Sequence, residues 1–163
     1  MKQRLGIILG GHQIMVFPQQ RLISNKDTKG FQFGNFRYIF KQTPLTLFGD
    51  DGYINEIHIS TCDNRPVTRL TFNTNYALDL FKLFTNTIQT RDSFDLSMPI
   101  SHSNEVSRMY GCYDFVNRNF IIEVEKEESY RGNKSIIRLI MDEDDFREFV
   151  FLFYFHFLIA IIG

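Results

Sequence analysis

Between Phe31 and Phe72 apolar and polar positions alternate with the two-residue period of strands. In FQFGNFRYIFK, residues 31–41, Phe36, Tyr38 and Phe40 face one way and Arg37, Ile39 and Lys41 the other. Pro44 interrupts the pattern, and LTLF then runs into Gly49-Asp50-Asp51-Gly52, a turn signal because Gly and Asp tolerate positive φ. INEIHIS alternates again through Ile54, Ile57 and Ile59. After a turn at Cys62 to Pro66, VTRLTF sets Val67, Leu70 and Phe72 against Arg69 and Thr71. The period then changes to 3.6: Ala77, Leu80, Phe81, Phe84 and Ile88 form one apolar stripe, with Asp79, Lys82 and Asn86 off it. Asn73 or Asn75 can cap this helix by accepting from free first-turn amides.

The same order returns. After a segment from Thr90 to Asn104 with Pro99 and no clear period, EVSRMYG, CYDFV, FIIEVEKE and KSIIRLIM read as strands. Turns fall at Asn117 to Asn119 and Ser129 to Asn133. Asp142 then takes the cap position, and Phe146, Phe149, Val150, Phe153 and Phe157 form the stripe, each 69 positions after its counterpart. Arg69, Leu70, Leu83 and Phe84 recur as Arg138, Leu139, Leu152 and Phe153. The expected fold is α+β: two tandem ββββα units, 31–89 and 104–158, antiparallel sheets each closed by a helix and related by a pseudo-two-fold axis. Both units belong to one domain spanning 1–163. Ahead of them, Leu5 to Leu9 and Ile14 to Phe17 flank Gly10-Gly11 as a short hairpin, followed by a polar loop over 19–30.

Composition narrows the function classes. Hydrophobic residues make up 44% and charged residues 23%, which excludes a globally disordered chain. The net charge of −1 means that any polyanion surface has to come from charge gathered on one face. Two cysteines, Cys62 and Cys112, are too few for a disulfide scaffold and fit free thiols in the cytoplasm or another reducing compartment. The apolar run after Arg4 is too short for a signal peptide and ends in Gly10-Gly11-His12-Gln13.

No motif carries a chemistry, so neither a catalytic residue nor a metal nor a cofactor is expected. Asp142 to Asp145 reads as a helix cap and a carboxylate first turn set against the macrodipole, not as a cation loop. His12, His58, His102 and His156 are scattered, with no metal-ligand spacing to one another or to a cysteine. No glycine-rich phosphate loop and no nucleophile elbow occurs. Only a site assembled from distant residues would make this an enzyme. The Phe-rich stretch Phe149 to Ile162 has 14 residues, short of the ~20 that a spanning helix needs. It lacks a polar back, so it packs between the two units, docks on a second copy or protein partner, or anchors in a membrane.

The remaining signal is cationic. Arg37, Lys41, Arg69, Arg108, Arg118 and Arg138 fall on strands or hairpin turns, with Tyr38, Phe40, Tyr110 and Tyr113 nearby. Guanidinium groups that track phosphates beside rings that stack on bases are what single-stranded nucleic acid requires. The competing reading makes the rings core and pairs the arginines with Glu123 and Glu125 across strands. The order of elements from Phe31 to Phe157 resembles the Whirly-type and transcriptional-coactivator-type single-stranded nucleic-acid binders. That resemblance implies sheets that face the nucleic acid, helices packed together and further assembly of chains. The Lys-Gly-Lys motif of plant Whirly proteins does not occur here, so no family residue is carried over. The expected function is sequence-nonspecific single-stranded DNA or RNA binding through Arg37, Lys41, Arg69, Arg108 and Arg138. The alternative is a protein-interaction or structural subunit, membrane-associated or not, docking through Phe149 to Ile162.

Overall fold

A computed structural model describes residues 4–9, 13–18, 30–44, 52–98, 106–127 and 134–159. Strands β1 (Arg4–Leu9) and β2 (Gln13–Pro18) pair antiparallel as the expected hairpin. β3 (Phe31–Phe33), β4 (Phe36–Pro44), β5 (Tyr53–Thr61) and β6 (Pro66–Phe72) form one antiparallel sheet in that order, followed by helix α1 (Thr74–Thr90). β7 (Phe94–Ser97), β8 (Val106–Asp114), β9 (Asn119–Glu127) and β10 (Lys134–Asp142) form the second, ordered β10-β9-β8-β7 and followed by α2 (Glu143–Phe157). The layout is therefore α+β with two tandem ββββα units. The loop over 19–29, LTLF with Gly49 to Asp51, the Ser129 to Asn133 turn, residues 160–162, His12 and His102 lie outside the described residues.

Three segments differ from the sequence reading. Residues 31–41 are a hairpin, not one strand: Phe33 pairs with Phe36 across a two-residue Gly-Asn loop, and Gly34 takes φ +64. Val106 to Gly111 of EVSRMYG and Cys112 to Asp114 of CYDFV are a single strand, β8, bent by a bulge between Val106 and Arg108. The second sheet draws its fourth strand, β7, from the segment read as a linker. Phe94 there lies over Gly111 of β8, where a Cβ would strike the ring. At Gly34 a Cβ would strike the carbonyl oxygen of Ile140 on β10, so the tip of the first hairpin abuts the second sheet. Gly34→Ala should lower stability by about 2 kcal/mol, read as a shift in urea midpoint. Gly34→Asn tolerates the positive φ but keeps a Cβ, and should be nearly as damaging. Full stability in the Asn variant would show that the Ile140 contact does not exclude a side chain.

Both helices start where the sequence places them. Asn73 Oδ1 accepts from the Tyr76 amide at 3.0 Å, and Asp142 Oδ1 from the Asp145 amide at 2.7 Å. α1 ends at Arg91, whose left-handed backbone (φ +64) lets its amide donate to the Thr87 carbonyl. The Arg91 guanidinium lies 4.4 Å from the Tyr113 ring centre and reaches the Glu143 carboxylate at 2.6 Å. It thus ties the end of α1 to the start of α2 and holds the Glu143 carboxyl below its ordinary range.

The stripes face one shared core. Ala77, Leu80, Phe81, Phe84 and Ile88 are all buried, as are Phe146, Phe149, Val150, Phe153 and Phe157. α2 follows the second sheet yet packs largely on the first. Phe149 meets Phe33, Tyr38 and Phe40 at ring separations of 6.2, 5.3 and 5.7 Å, and Phe153 stacks on Phe72 at 5.6 Å. Phe146 stacks on Phe120 of the second sheet at 4.5 Å, and Phe84 of α1 touches Phe94 of β7 at 5.8 Å. Gln42 on β4 donates to the Phe157 carbonyl and to Asn55 Oδ1, both at 3.0 Å, so the first sheet also satisfies the end of α2. Phe151 and Leu152, on the back of α2, are buried too, and β2 runs beside that helix. From Phe149 to Leu158 this stretch packs within the chain, between the units. Among the described residues no helix is long and apolar enough to cross a membrane.

Candidate nucleic-acid interface

With the inner faces of both sheets committed to the core, chemistry has to come from the outer faces. Strand alternation decides which side chains those are. On the first sheet β4 presents Arg37, Ile39 and Lys41, β5 presents Ile54, Glu56, His58 and Ser60, and β6 presents Arg69 and Thr71. Register lines them up in rows across the sheet: Lys41, Glu56 and Thr71 in one, Ile39, His58 and Arg69 in the next, Arg37 beside Ser60 in the third. Arg37 and Lys41 stand about 13 Å apart along β4 at the strand rise, and Arg69 lies two strands, about 10 Å, across. Arg37 Nε donates to the Cys62 carbonyl at 3.3 Å, which fixes the base of its fork. His58 Nε2 is 3.3 Å from Glu56.

This face carries Arg37, Lys41 and Arg69 against Glu56, among the described residues. Its edge opens into a depression of about 500 Å³ lined by Ile39, His58, Ser60, Val67, Arg69 and Lys126. Lys126 comes from β9 of the other sheet, and its Nζ donates to the Val67 carbonyl at 3.4 Å. Sequence reasoning did not single out Lys126. It sits inside an acidic run, and its place depends on how the two sheets meet.

The outer face of the second sheet has the opposite balance. Arg108, Lys134 and Arg138 are outnumbered there by Asp95, Asp114, Glu123, Glu125 and Glu127. Arg108 makes a two-pronged contact with Asp95, Nε to Oδ1 at 2.7 Å and Nη2 to Oδ2, which holds the Asp95 carboxyl below its usual range. Arg138 Nε is 3.3 Å from Glu123, and Lys134 Nζ is 3.6 Å from Glu125. The Cys112 thiol on this face is pushed up by burial and by the Glu123 carboxylate. The five cations named from the sequence therefore divide three and two between the faces, and the pair Arg108 and Arg138 is engaged with carboxylates. Arg118 is exposed in the β8–β9 turn with φ +56.

The aromatic residues do not join the cations. Tyr38 and Phe40 are core, because they share the parity of Phe36 on β4 that faces α2. The Tyr38 hydroxyl is raised well above its ordinary range by burial. Tyr113 packs on Phe120 at 4.9 Å beneath Arg91. Tyr110 alone of the four is on an outer face, and that face is the acidic one. Tyr38, Phe40 and Tyr113 thus pack in or against the core, as the competing reading expects, and Tyr110 does not. Among the described residues no group of three or more His, Cys, Asp and Glu side chains is placed to hold a metal ion. Asp142 and Glu143 are occupied as cap and as partner of Arg91. Compared with known protein families and with curated proteins, the chain matches none.

Proposed function

We propose that this chain is a non-enzymatic binder of single-stranded DNA or RNA that holds the phosphate backbone on the outer face of the first sheet. One observation carries the reading: Arg37, Lys41 and Arg69 gather on one open face with, among the described residues, a single carboxylate, Glu56, beside a depression into which Lys126 brings a further cation. Arginine matches phosphate with two parallel hydrogen bonds, and lysine adds a mobile point charge. Among the described residues no Phe or Tyr stands on that face, so the contact loses most of the roughly 1–3 kcal/mol per base that stacking supplies. Binding is accordingly weak, insensitive to sequence and dominated by counterion release. Arg108 and Arg138 contribute little, since Asp95 and Glu123 beside them repel a phosphate. In this reading the two units are copies related by a pseudo-two-fold axis that have diverged in charge. The protein works in a reducing intracellular compartment, where Cys62 and Cys112 stay free. The alternative, docking through Phe149 to Ile162, draws less support, because Phe149 to Leu158 are buried or half-buried within the chain.

The test is fluorescence anisotropy of labelled single-stranded DNA and RNA against salt. Three phosphate contacts give a slope of log K against log salt of about −2, from roughly 0.7 per contact on single strands. The variant Arg37→Ala/Lys41→Ala/Arg69→Ala should abolish detectable binding, whereas Arg108→Ala/Arg138→Ala should bind like the parent. Absence of binding at micromolar protein in low salt overturns the reading.

A further inference from the structure

The two outer faces are complementary to each other. Among the described residues, the first sheet carries three cations against one carboxylate, the second three cations against five carboxylates besides the helix cap Asp142. Each also holds an exposed apolar pair amid those charges: Ile39 and Ile54 on the first, Ile136 and Ile140 on the second. Ile39 lies between Arg37 and Lys41, and Ile136 lies between Lys134 and Arg138 opposite Glu125. Apolar centres with charged rims of opposite sign are what a protein interface needs. Within one molecule these faces point away from the shared core and cannot meet.

We propose that the outer face of the first sheet docks on the outer face of the second sheet of another copy of this chain. The contact joins two different patches, so assembly is head to tail, closing as a ring or growing as a filament. Its strength follows from its size. The strands of the first sheet, of three, nine, nine and seven residues, cover about 440 Å² per partner at the strand rise and spacing, the size of a weak, transient interface. Association is therefore weak, salt-sensitive and concentration-dependent. The inference uses the same basic face as the proposed function but does not need that face to take nucleic acid. If both hold, single-stranded nucleic acid dissolves the assembly by competing for Arg37, Lys41 and Arg69.

Sedimentation velocity on the full chain, free of nucleic acid, tests this from about 1 to about 300 µM, spanning the weak end of the affinity scale. In low salt the weight-average coefficient should rise with concentration, and about 0.5 M salt should return it to the monomer value. Arg37→Ser/Lys41→Ser and Glu123→Gln/Glu125→Gln should each weaken self-association at least tenfold. Mixed one to one, they should form a dimer that grows no further, since each retains one working face. Circular dichroism establishes that both variants are folded. A parent that stays monomeric at the highest concentration in low salt overturns the proposal, and with oligonucleotide binding intact the basic face then serves nucleic acid alone. A dimer formed equally by either variant alone also overturns it, because that contact would join like faces.

Discussion

Phe149→Ala should cost the protein about 3–5 kcal/mol, the range for removing a large ring from a tight core. The figure is large because Phe149 is where four elements converge. Its ring touches Phe33 of β3, Tyr38 and Phe40 of β4, Phe84 of α1 and Phe146 of its own helix. It is 2% exposed, so the vacated space is bounded on every side and cannot collapse without moving a sheet. Against a total stability of roughly 5–15 kcal/mol for a domain, the loss leaves a marginal protein. Phe149→Leu keeps most of the apolar volume and should cost less than half as much. Urea denaturation followed by far-ultraviolet circular dichroism measures both. A loss below about 1 kcal/mol for the alanine variant would show that Phe149 is not a shared centre of packing.

The second large effect is on acid stability. His156 is half-buried on α2 with its Nε2 enclosed, stacked on Phe40 with ring centres 5.3 Å apart, and desolvation lowers its pKa from 6.5 to about 4. The folded protein thus holds a neutral ring where the unfolded chain binds a proton. Its contribution is fully present above pH 6.5 and is lost as pH falls from there towards 4. The slope in that window is about 1.4 kcal/mol per pH unit, up to about 3 kcal/mol over its width. His156→Phe keeps the stack and removes the proton site, so the urea midpoint should become nearly flat between those limits. The depressed carboxyls of Asp95 and Glu143 act in a more acidic range and survive the substitution. An unchanged slope in the phenylalanine variant would mean that His156 is not the group responsible.

What the sequence disclosed was periodic. The switch from a two-residue to a 3.6-residue period located both helices, their caps and their stripes, because those depend on local spacing alone. The Phe31–Phe33 hairpin escaped because Phe stands on both sides of Gly34-Asn35 and the apolar pattern does not break there. β7 escaped because Phe94-Asp95-Leu96-Ser97 is too short to establish a period. The candidate site was legible as a list of cations but not as a place. The repeat equates Arg69 with Arg138, yet register puts His58 across from one and Glu123 across from the other. An alternating strand announces two faces and leaves open which one a neighbouring helix takes, so Tyr38 and Phe40 could be read as bases' partners or as core.

The packing of α2 against the first sheet as well as its own sets an order of events during synthesis. The first ββββα unit leaves the ribosome long before the helix that covers Phe33, Phe40 and Phe72. At roughly 5–20 residues per second, translation from β7 to the end of α2 lasts on the order of several seconds. For that interval the first sheet is a finished surface with half its lid missing, and its aromatic side is available to other nascent chains. The yield of folded protein is then set by how fast the ribosome moves through β7 to α2 and by what shields the first sheet meanwhile. A substitution with no effect on the mature core can still lower abundance, if it slows that passage.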